Sequence, residues 1–338
     1  MHAAVDAIAR RFPIGPCEAP RPLGNGLMHA TYVVDAQLGR FVLQRLHPKL
    51  ATPEIIADFR AVTAWLAAHA QLAPRLVGPG VLQDDDGALW RMTTYVPGAT
   101  HDKVQTPAEA EQGARALGRF HRVMADFDHD FGSQHPLHDT VGHLDRLRAA
   151  ADDPRHAAAR EVVAEEIDLI VDRLSLALLP ADLPRRVVHG DPKISNVVFR
   201  GTRAVGLIDL DTCNRHSVLV DLGDAVRSWC RDGSEDERQL FRLDRFAAIL
   251  KGYAKCGLAL TDPEVAHLVN AGRLITLELA SRFARDVLED EYFAYDAARY
   301  ADRRSHNRAR ARAMLFLAED MAAQRGAIAD LVGLHLGG

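Results

Sequence analysis

Three polar residues in the middle of this 338-residue chain have the types and spacing that phosphoryl transfer to a hydroxyl group requires. Asp191 and Asn196 lie five residues apart in one polar loop, and Asp209 follows thirteen residues after Asn196. Two short apolar runs with a glycine-containing turn at 200–203 separate Asn196 from Asp209 and predict a β-hairpin. We expect this hairpin to return Asp209 to the loop that holds Asp191 and Asn196.

Each of these side chains has a distinct task in that chemistry. Mg²⁺ takes oxygen ligands, so one amide and one carboxylate suffice beside the nucleotide phosphates, and we assign Asn196 and Asp209 to the metal. Asp191 is assigned to orienting the acceptor hydroxyl and receiving its proton. Asp211 is expected either to be a second metal ligand or to contact the substrate. The alternative interpretation is a polar turn between two core strands, in which local backbone amides satisfy the aspartates.

The elements that position these residues change in kind along the chain. The first third is rich in strand signals, with candidate strands at 21–34, 40–46, 77–82 and 89–96 and turns between them. Pro97 and Gly98 end the last of these strands, so we place a domain boundary there and divide the chain into 1–96 and 97–338. Helix signals dominate the second part. Thr52, Thr106 and Thr261 are predicted N-caps, each followed by a proline in the first turn.

Composition excludes several classes of protein. The net charge of −5 gives no general attraction for nucleic acid or for an anionic membrane, and no apolar stretch approaches the 18 residues of a membrane span. Four cysteines without a CxxC pair and 16 histidines without an HExxH pattern argue against a disulfide framework and a zinc site. The start of the chain lacks the apolar core of a signal peptide. We therefore expect a cytoplasmic enzyme of undetermined oligomeric state.

The segment from Val187 to Asp211, with its pattern HGDxxxxN, strand, turn, strand, IDxD, resembles the aminoglycoside phosphotransferase and choline kinase-like superfamily. The resemblance implies an α+β, protein kinase-like fold. A small antiparallel-sheet N-terminal lobe would lie over a larger, mainly helical C-terminal lobe that carries the catalytic loop, with ATP bound between them. It also implies that Asp221 holds the catalytic loop through its backbone. We expect His189 to pack within that loop.

Several stretches spread over most of the chain resemble a narrower group, the N-acetylhexosamine 1-kinases, which phosphorylate the anomeric hydroxyl of their sugars. They include 24–34, 40–46, 207–212, 221–227 and 277–283. By this resemblance Arg282 and Tyr292 contact the sugar, together with Asp191 and Asp209. The alternative is an Arg282–Asp286 pair on one helix face and a packing tyrosine.

The sequence departs from that narrower group on the acceptor side. The catalytic loop reads His-Gly-Asp-Pro, whereas the hexosamine kinases tend to have His-Asn-Asp-Thr, and the segment between Arg282 and Tyr292 is one residue shorter. A sugar-contacting histidine of the group aligns with Leu27, and His29, which we include among the substrate-binding residues, lies two positions later. These changes leave phosphoryl transfer intact and leave the identity of the sugar open.

Nucleotide contacts are predicted from a glycine turn, two strands and a hinge. The residues concerned are Gly24, Gly26, Thr31, Gln44, Thr94 and Val96. Superfamily members commonly place a phosphate-binding lysine where this chain has Gln44 and Arg45, so the usual lysine–glutamate pair is predicted to be missing.

Two other functions compete with a sugar 1-kinase. The same fold could phosphorylate an aminoglycoside, a choline-like amine or another alcohol, and the acids at 289–291 are a candidate site for ammonium groups. A non-catalytic nucleotide-binding protein is the third possibility, and the missing lysine favours it. The intact set of Asp191, Asn196 and Asp209 argues against it.

Overall fold

The computed structural model describes residues 2–23, 29–133 and 137–337. The strands are β1 (Arg21–Pro22), β2 (Ala30–Ala36), β3 (Gly39–Arg45), β4 (Leu76–Gln83), β5 (Leu89–Thr94), β6 (Arg186–Val188), β7 (Val197–Arg200), β8 (Arg203–Leu207) and β9 (Asn214–His216). The helices are α1 (His2–Ala9), α2 (Pro53–Ala68), α3 (Pro107–Val123), α4 (Thr140–Asp152), α5 (Ala157–Ser175), α6 (Val218–Trp229), α7 (Leu243–Cys256), α8 (Asp262–Glu289), α9 (Arg303–Ala323) and α10 (Arg325–Leu336).

The N-terminal strands form one antiparallel sheet in the order β1-β2-β3-β5-β4. Its register pairs Thr31 with Gln44 and Gln44 with Arg91, so these three side chains share one face. The opposite face is apolar and packs against α1 in a cluster that includes Ile8, Leu43 and Met92. One face of the sheet is therefore covered by helix, and the other presents polar side chains.

A larger hydrophobic core lies among the helices. Its fully buried members include Leu117 on α3, Leu222 on α6 and Leu277 on α8. The apolar face predicted for α2 is present, and its residues Phe59 and Val62 join this larger core, not the cluster behind the sheet. Helix α2 therefore connects the sheet region to the helical region.

The predicted helix starts are confirmed. The side chains of Thr52, Thr106 and Thr261 each accept a hydrogen bond from the amide three residues later. At Thr261 the bond is reciprocated by Glu264, which completes a capping box. At Thr106 no capping box forms, because Glu109 accepts from the amide of Gln105, one residue before the cap.

The mixed α+β class, with an N-terminal antiparallel sheet and a helical C-terminal region, is confirmed. The predicted boundary between 96 and 97 falls two residues after β5 ends at Thr94, and a division into two folding units there stays a prediction. An isolated bridge between Ala99 and Phe199 ties the segment after β5 to β7. Within the described ranges, no helix has the length and apolar character needed to cross a bilayer.

Candidate active site

The loop after β6 carries the first two of the three predicted residues. Asp191 follows Gly190, whose φ of +86° is a backbone conformation that residues with a side chain rarely adopt. A short 3₁₀ turn, Ile194–Asn196, then leads into β7. The hairpin of β7 and β8 is present as predicted, with Val197 opposite Leu207, and Asp209 follows two residues after β8. The Ile208 amide donates to the Asn196 carbonyl over 2.9 Å, which brings the two segments together.

Asp191 is a partly buried carboxylate, 20% exposed, with a cation beside it. Lys193 Nζ donates to Asp191 Oδ2 over 2.6 Å, and Asn196 Nδ2 donates to the Asp191 carbonyl over 2.8 Å. Burial by itself favours the neutral acid, but the charge and hydrogen bond of Lys193 and the charge of Arg227 together outweigh it and hold the pKa of Asp191 below its ordinary value. Asp191 is therefore ionised at neutral pH, as a group that receives the proton of a hydroxyl must be.

Asp209 lies where negative charge accumulates. Its φ of +65° and ψ of +58° place it in the left-handed region. Burial and the neighbouring carboxylates of Asp211 and Asp191 raise the pKa of Asp209 above its ordinary value. A bound cation would relieve this repulsion, and Asn196, whose amide nitrogen is engaged by Asp191, would offer its carbonyl oxygen as a ligand. The described ranges contain no group of three or more His, Cys, Asp or Glu side chains that could hold a metal. The proposed ligands, one carboxylate of Asp209 and one amide oxygen of Asn196, are not a group of that kind.

The side chain of Asp221 on α6 supports the backbone of the loop that carries Asp191. Its carboxylate is fully buried and accepts hydrogen bonds from the backbone amides of His189 and Gly190 and from His121 Nε2. His189 is also buried, and its Nε2 lies 3.0 Å from the Ile208 carbonyl. Asp221 thus binds the backbone of the loop, and His189 packs within it.

Asp211 is engaged by protein groups. Arg91 on β5 donates two parallel hydrogen bonds to it, over 2.5 and 2.7 Å, and His29 Nε2 lies 3.4 Å from Asp211 Oδ2. His29 Nδ1 accepts from the His47 amide over 3.0 Å, so the neutral ring carries its proton on Nε2, towards Asp211. Although burial opposes ionisation, Arg91 holds the pKa of Asp211 far below its ordinary value. His29 therefore lies against the acidic turn, 3.4 Å from Asp211.

Two of the predicted nucleotide residues, Thr31 and Gln44, share the polar face of the sheet, and Thr94 and Val96 lie at and after the end of β5. Gln44 Nε2 lies 3.5 Å from Thr31 Oγ1, and Gln44 Oε1 accepts from Arg91 over 2.8 Å. The Thr94 amide donates to the Arg75 carbonyl over 2.8 Å, and Val96 is buried. Gly24 and Gly26 lie outside the described residues.

Arg282 and Tyr292 lie near each other, with the guanidinium carbon 5.8 Å from the ring centroid, and their contact with a sugar stays a prediction. Tyr292 is 43% exposed, which does not fit the alternative of a core-packing tyrosine. Asp286 does not pair with Arg282 as that alternative required, because it accepts hydrogen bonds from the amides of 291–293 and from Asn307 Nδ2. The loop after α8 is therefore folded around Asp286.

A cavity of about 350 Å³ lies between the end of α6, the segment that follows it and the start of α9. Four acidic residues and four lysines or arginines contribute to its lining, among them Arg231, Arg299, Arg310, Glu235, Asp236 and Asp296. Arg227 links this cavity to the catalytic loop: it donates to Glu235 over 2.9 Å and to Asp224 over 2.8 Å, and its charge acts on Asp191. The acids at 289–291 do not line the cavity, and Glu289 pairs with Arg285.

Sequence reasoning missed three basic residues of this site. Lys193 lies in the catalytic loop itself, two residues after Asp191, and a cation so close to the predicted base was a usable signal. Arg91 is distant along the chain from its carboxylate partner Asp211, and Arg227 is distant from Asp191. An arginine on a strand or a helix gives no local sequence signal of such a role.

Comparison with known proteins agrees with the fold. Residues 20–258 match the phosphotransferase enzyme family, APH, and since this span is more than half of the chain, the protein belongs to that family. Among curated relatives, the homoserine kinase of Zymomonas mobilis is 27% identical over 72% of this chain and 74% of its own length. The homoserine kinase of Methylocella silvestris is 24% identical over 75% and 76%.

Solved structures with the same fold include two small-molecule kinases. An amicoumacin kinase in complex with AMP-PNP, Ca²⁺ and Ami has a TM-score of 0.62, 17% identity and coverage of 91% of this chain and 96% of its own. A microcompartment-associated aminopropanol kinase has a TM-score of 0.61, 18% identity and coverage of 95% and 98%. At these identities the likeness establishes the fold. The narrower resemblance to N-acetylhexosamine kinases has no counterpart among these relatives.

Proposed function

We propose that the protein is a kinase that transfers the γ-phosphoryl group of Mg²⁺-ATP to a hydroxyl group of a small molecule. The observation that carries this proposal is the convergence of Asp191, Asn196 and Asp209 at one loop, with Lys193 beside the proposed base. Membership of a phosphotransferase family supports it. The absence of a lysine at position 44 does not argue for a non-catalytic protein, because Arg91 places a guanidinium against Gln44.

In the proposed step the acceptor oxygen forms a bond to the γ-phosphorus while the bond from that phosphorus to the β–γ bridging oxygen breaks. ADP leaves with the bond's electron pair, and the hydroxyl proton passes to the carboxylate of Asp191. The ionised state of Asp191 suits it to orient this hydroxyl. Lys193 provides positive charge where the transferred group carries negative charge.

Mg²⁺ would be held by Asn196 and Asp209, and when bound it neutralises charge on the phosphates and fixes their orientation. The nucleotide would lie against the polar face of the sheet, with Thr31 and Gln44 near the phosphates. Val96 would offer its amide to the purine edge, beside Thr94. The nucleotide contact of Gly24 and Gly26 stays a prediction from the sequence.

We assign the acceptor to small alcohols that carry both an ammonium and a carboxylate group, of which homoserine is the example that the relatives' names suggest. The balanced charges of the 350 Å³ cavity support this class, since a polycationic aminoglycoside calls for an excess of acids. Arg231 is the proposed partner of the carboxylate. It is 10% exposed, its Nε has no hydrogen-bond partner among the described groups, and burial lowers its pKa, so an anion would stabilise its charge.

A hexose is the second candidate acceptor. The pair of Arg282 and Tyr292 favours it, because a guanidinium can donate paired hydrogen bonds to sugar hydroxyls and a half-exposed aromatic ring offers a flat apolar face. Phosphorylation of the anomeric hydroxyl would make an acid-labile product, which separates this candidate from an amino-acid phosphate.

The test measures ADP release with Mg²⁺-ATP over homoserine, 3-aminopropan-1-ol, N-acetylhexosamines and aminoglycosides. We expect turnover with homoserine, and a loss of at least about 10²-fold in Asp191→Asn, the size expected for a general base. Asp168→Asn, an exposed aspartate of α5, is the matched control and should behave as the wild type. Turnover with sugars alone would replace the leading acceptor by the second, and nucleotide binding without turnover would contradict the proposed activity.

Arg231→Gln tests the acceptor assignment separately. If Arg231 binds the acceptor's carboxylate, this variant should raise the KM for homoserine by about 10-fold or more. It should leave the KM for 3-aminopropan-1-ol unchanged, since that alcohol has no carboxylate. Equal effects on both acceptors would contradict the assignment.

A further inference from the structure

A buried arginine crosses from the N-terminal sheet to the acidic turn of the C-terminal region. Arg91 on β5 is 2% exposed, and its two terminal nitrogens donate to the two oxygens of Asp211 over 2.5 and 2.7 Å. These residues are 120 positions apart in the chain. Such a two-point bond fixes both the position and the orientation of the carboxylate, which a single ammonium cannot do.

Arg91 is itself held in place on two further sides. Gln44, its cross-strand partner on β3, accepts a hydrogen bond from it over 2.8 Å. The ring of Phe59 on α2 lies 4.0 Å from the guanidinium carbon, which is cation–π distance. The guanidinium is therefore fixed by the sheet and by α2 before it meets the turn.

The turn that Arg91 binds starts directly after the proposed metal ligand Asp209. Asp211 lies in the 3₁₀ turn Leu210–Thr212, and Asp209 precedes it in the left-handed conformation, with φ of +65°. A non-glycine residue keeps that conformation only where its surroundings enforce it. The far end of the turn is anchored by Thr212, whose Oγ1 donates to the His189 carbonyl over 2.8 Å. Arg91 provides the corresponding anchor from the sheet.

We propose that Arg91 is a positioning residue for phosphoryl transfer: by gripping Asp211 it holds Asp209 in its metal-binding conformation and couples the sheet to the metal site. This inference rests on the proposed function, because it takes Asp209 as a metal ligand. It also explains how the chain works with glutamine at position 44. The positive charge comes from Arg91 on the neighbouring strand β5, and Gln44 orients the guanidinium by accepting its hydrogen bond.

The test compares Arg91→Lys, Arg91→Met and the double variant Arg91→Met/Asp211→Asn. Loss of a group that orients a metal ligand costs about 10- to 100-fold in metal affinity or activity, so we expect each variant to raise the Mg²⁺ concentration for half-maximal rate by at least about tenfold. The double variant removes both buried charges, which keeps the test valid if Arg91→Met does not fold. A wild-type Mg²⁺ requirement in a folded double variant would overturn the proposal.

A sharper experiment moves the positive charge from position 91 to position 44. Because Gln44 and Arg91 are register partners on one face, a lysine at position 44 can approach Asp211 from the neighbouring strand. We expect Gln44→Lys/Arg91→Met to recover part of the loss in Arg91→Met by restoring the charge beside Asp211, and to stay short of the wild type because a single ammonium does not fix the orientation of the carboxylate. The matched control is Arg40→Met, at the exposed start of β3, where Arg40 pairs with Asp35, and this variant should retain the wild-type Mg²⁺ requirement. Absence of any recovery in a folded double variant would contradict a role for the cation at this place.

A binding measurement separates this inference from the proposed function. The affinity for AMP-PNP is measured with and without Mg²⁺, and no acceptor is needed. We expect Mg²⁺ to tighten binding in the wild type and to do so less in the Arg91 variants. If Mg²⁺ has no effect on the wild type, the proposed metal site itself fails. If the variants match a Mg²⁺-responsive wild type, only the role of Arg91 fails.

Discussion

The carboxylate of Asp221 on α6 accepts a hydrogen bond of 2.8 Å from the backbone amide of Gly190, directly before Asp191. The same carboxylate accepts from the His189 amide over 2.6 Å and is flanked by His121 Nε2 at 2.8 Å. Burial disfavours its charge, but His121 and these donors keep its pKa below the ordinary value. The position of the proposed base is thus set by a helix buried in the main core, and the loop does not depend on its own residues alone.

Gly190 should tolerate no side chain. Its φ is +86°, and a Cβ at this position would lie 2.4 Å from the Thr212 carbonyl oxygen. We expect Gly190→Ala to lower the free energy of unfolding by about 2–4 kcal/mol, through backbone strain and overpacking together, and to lower kcat as Asp191 shifts. Urea unfolding and steady-state kinetics measure the two effects.

The control for Gly190 is Gly201, in the turn between β7 and β8. It also has a positive φ, of +57°, but a Cβ there would meet no atom within 4 Å. Gly201→Ala should therefore cost about 1 kcal/mol of stability from strain alone and leave kcat unchanged. Equal effects of the two substitutions on kcat would show that Gly190 has no special place in the loop.

Lys193 should set the acid limb of the pH–rate profile. Burial raises the pKa of Asp191, and the charge of Lys193 is the largest of the effects that lower it. Lys193→Met therefore raises the pKa of Asp191, so the ionised form needed for transfer is reached only at higher pH. We expect the acid limb of kcat/KM to move to higher pH, measured between about pH 4 and 8. Lys251→Met, which removes a partner of Glu111, is the control, and an unmoved limb in Lys193→Met would contradict the pairing.

The buried pair of His138 and Glu278 should make stability depend on pH. Burial opposes both charges, yet each partner stabilises the other, so the pKa of His138 is raised above 6.5 and that of Glu278 is lowered to about 2. The raised histidine contributes fully below pH 6.5 and loses its contribution as pH rises through its folded pKa. The lowered glutamate contributes fully above pH 4.5 and loses its contribution as pH falls towards 2. Both contributions are complete between about pH 4.5 and 6.5.

His138→Gln should therefore destabilise the protein most within that window, by about 3 kcal/mol, as expected when one partner of a buried pair is removed. The difference from the wild type should shrink as pH rises above the window, because the wild-type histidine then loses its proton. Thermal unfolding followed by circular dichroism from pH 5 to 9 measures this trend, with His69→Gln, an exposed histidine of the same type, as the control. A difference independent of pH would mean that the pair is not ionised.

Much of the fold was predictable because its signals are local. A threonine N-cap and the proline after it act within one turn of helix, so the starts of α2, α3 and α8 could be predicted from adjacent residues. A hairpin's turn also lies between its strands, which is why the return of Asp209 to the loop of Asp191 and Asn196 was predictable. The two glycines expected over the phosphates lie outside the described residues.

By itself the sequence predicted the loop of Asp191 and Asn196, the hairpin behind it and the change from a strand-rich to a helical part. Each of these depends on residues that are close along the chain. Only the tertiary structure decided that Asp211 is bound by Arg91, that Asp191 lies within reach of the charge of Arg227, and that α2 packs into the helical core. The physical reason is that a buried charge selects its partner by proximity after packing. A residue 120 positions away becomes a neighbour only once the sheet and the helices are in place.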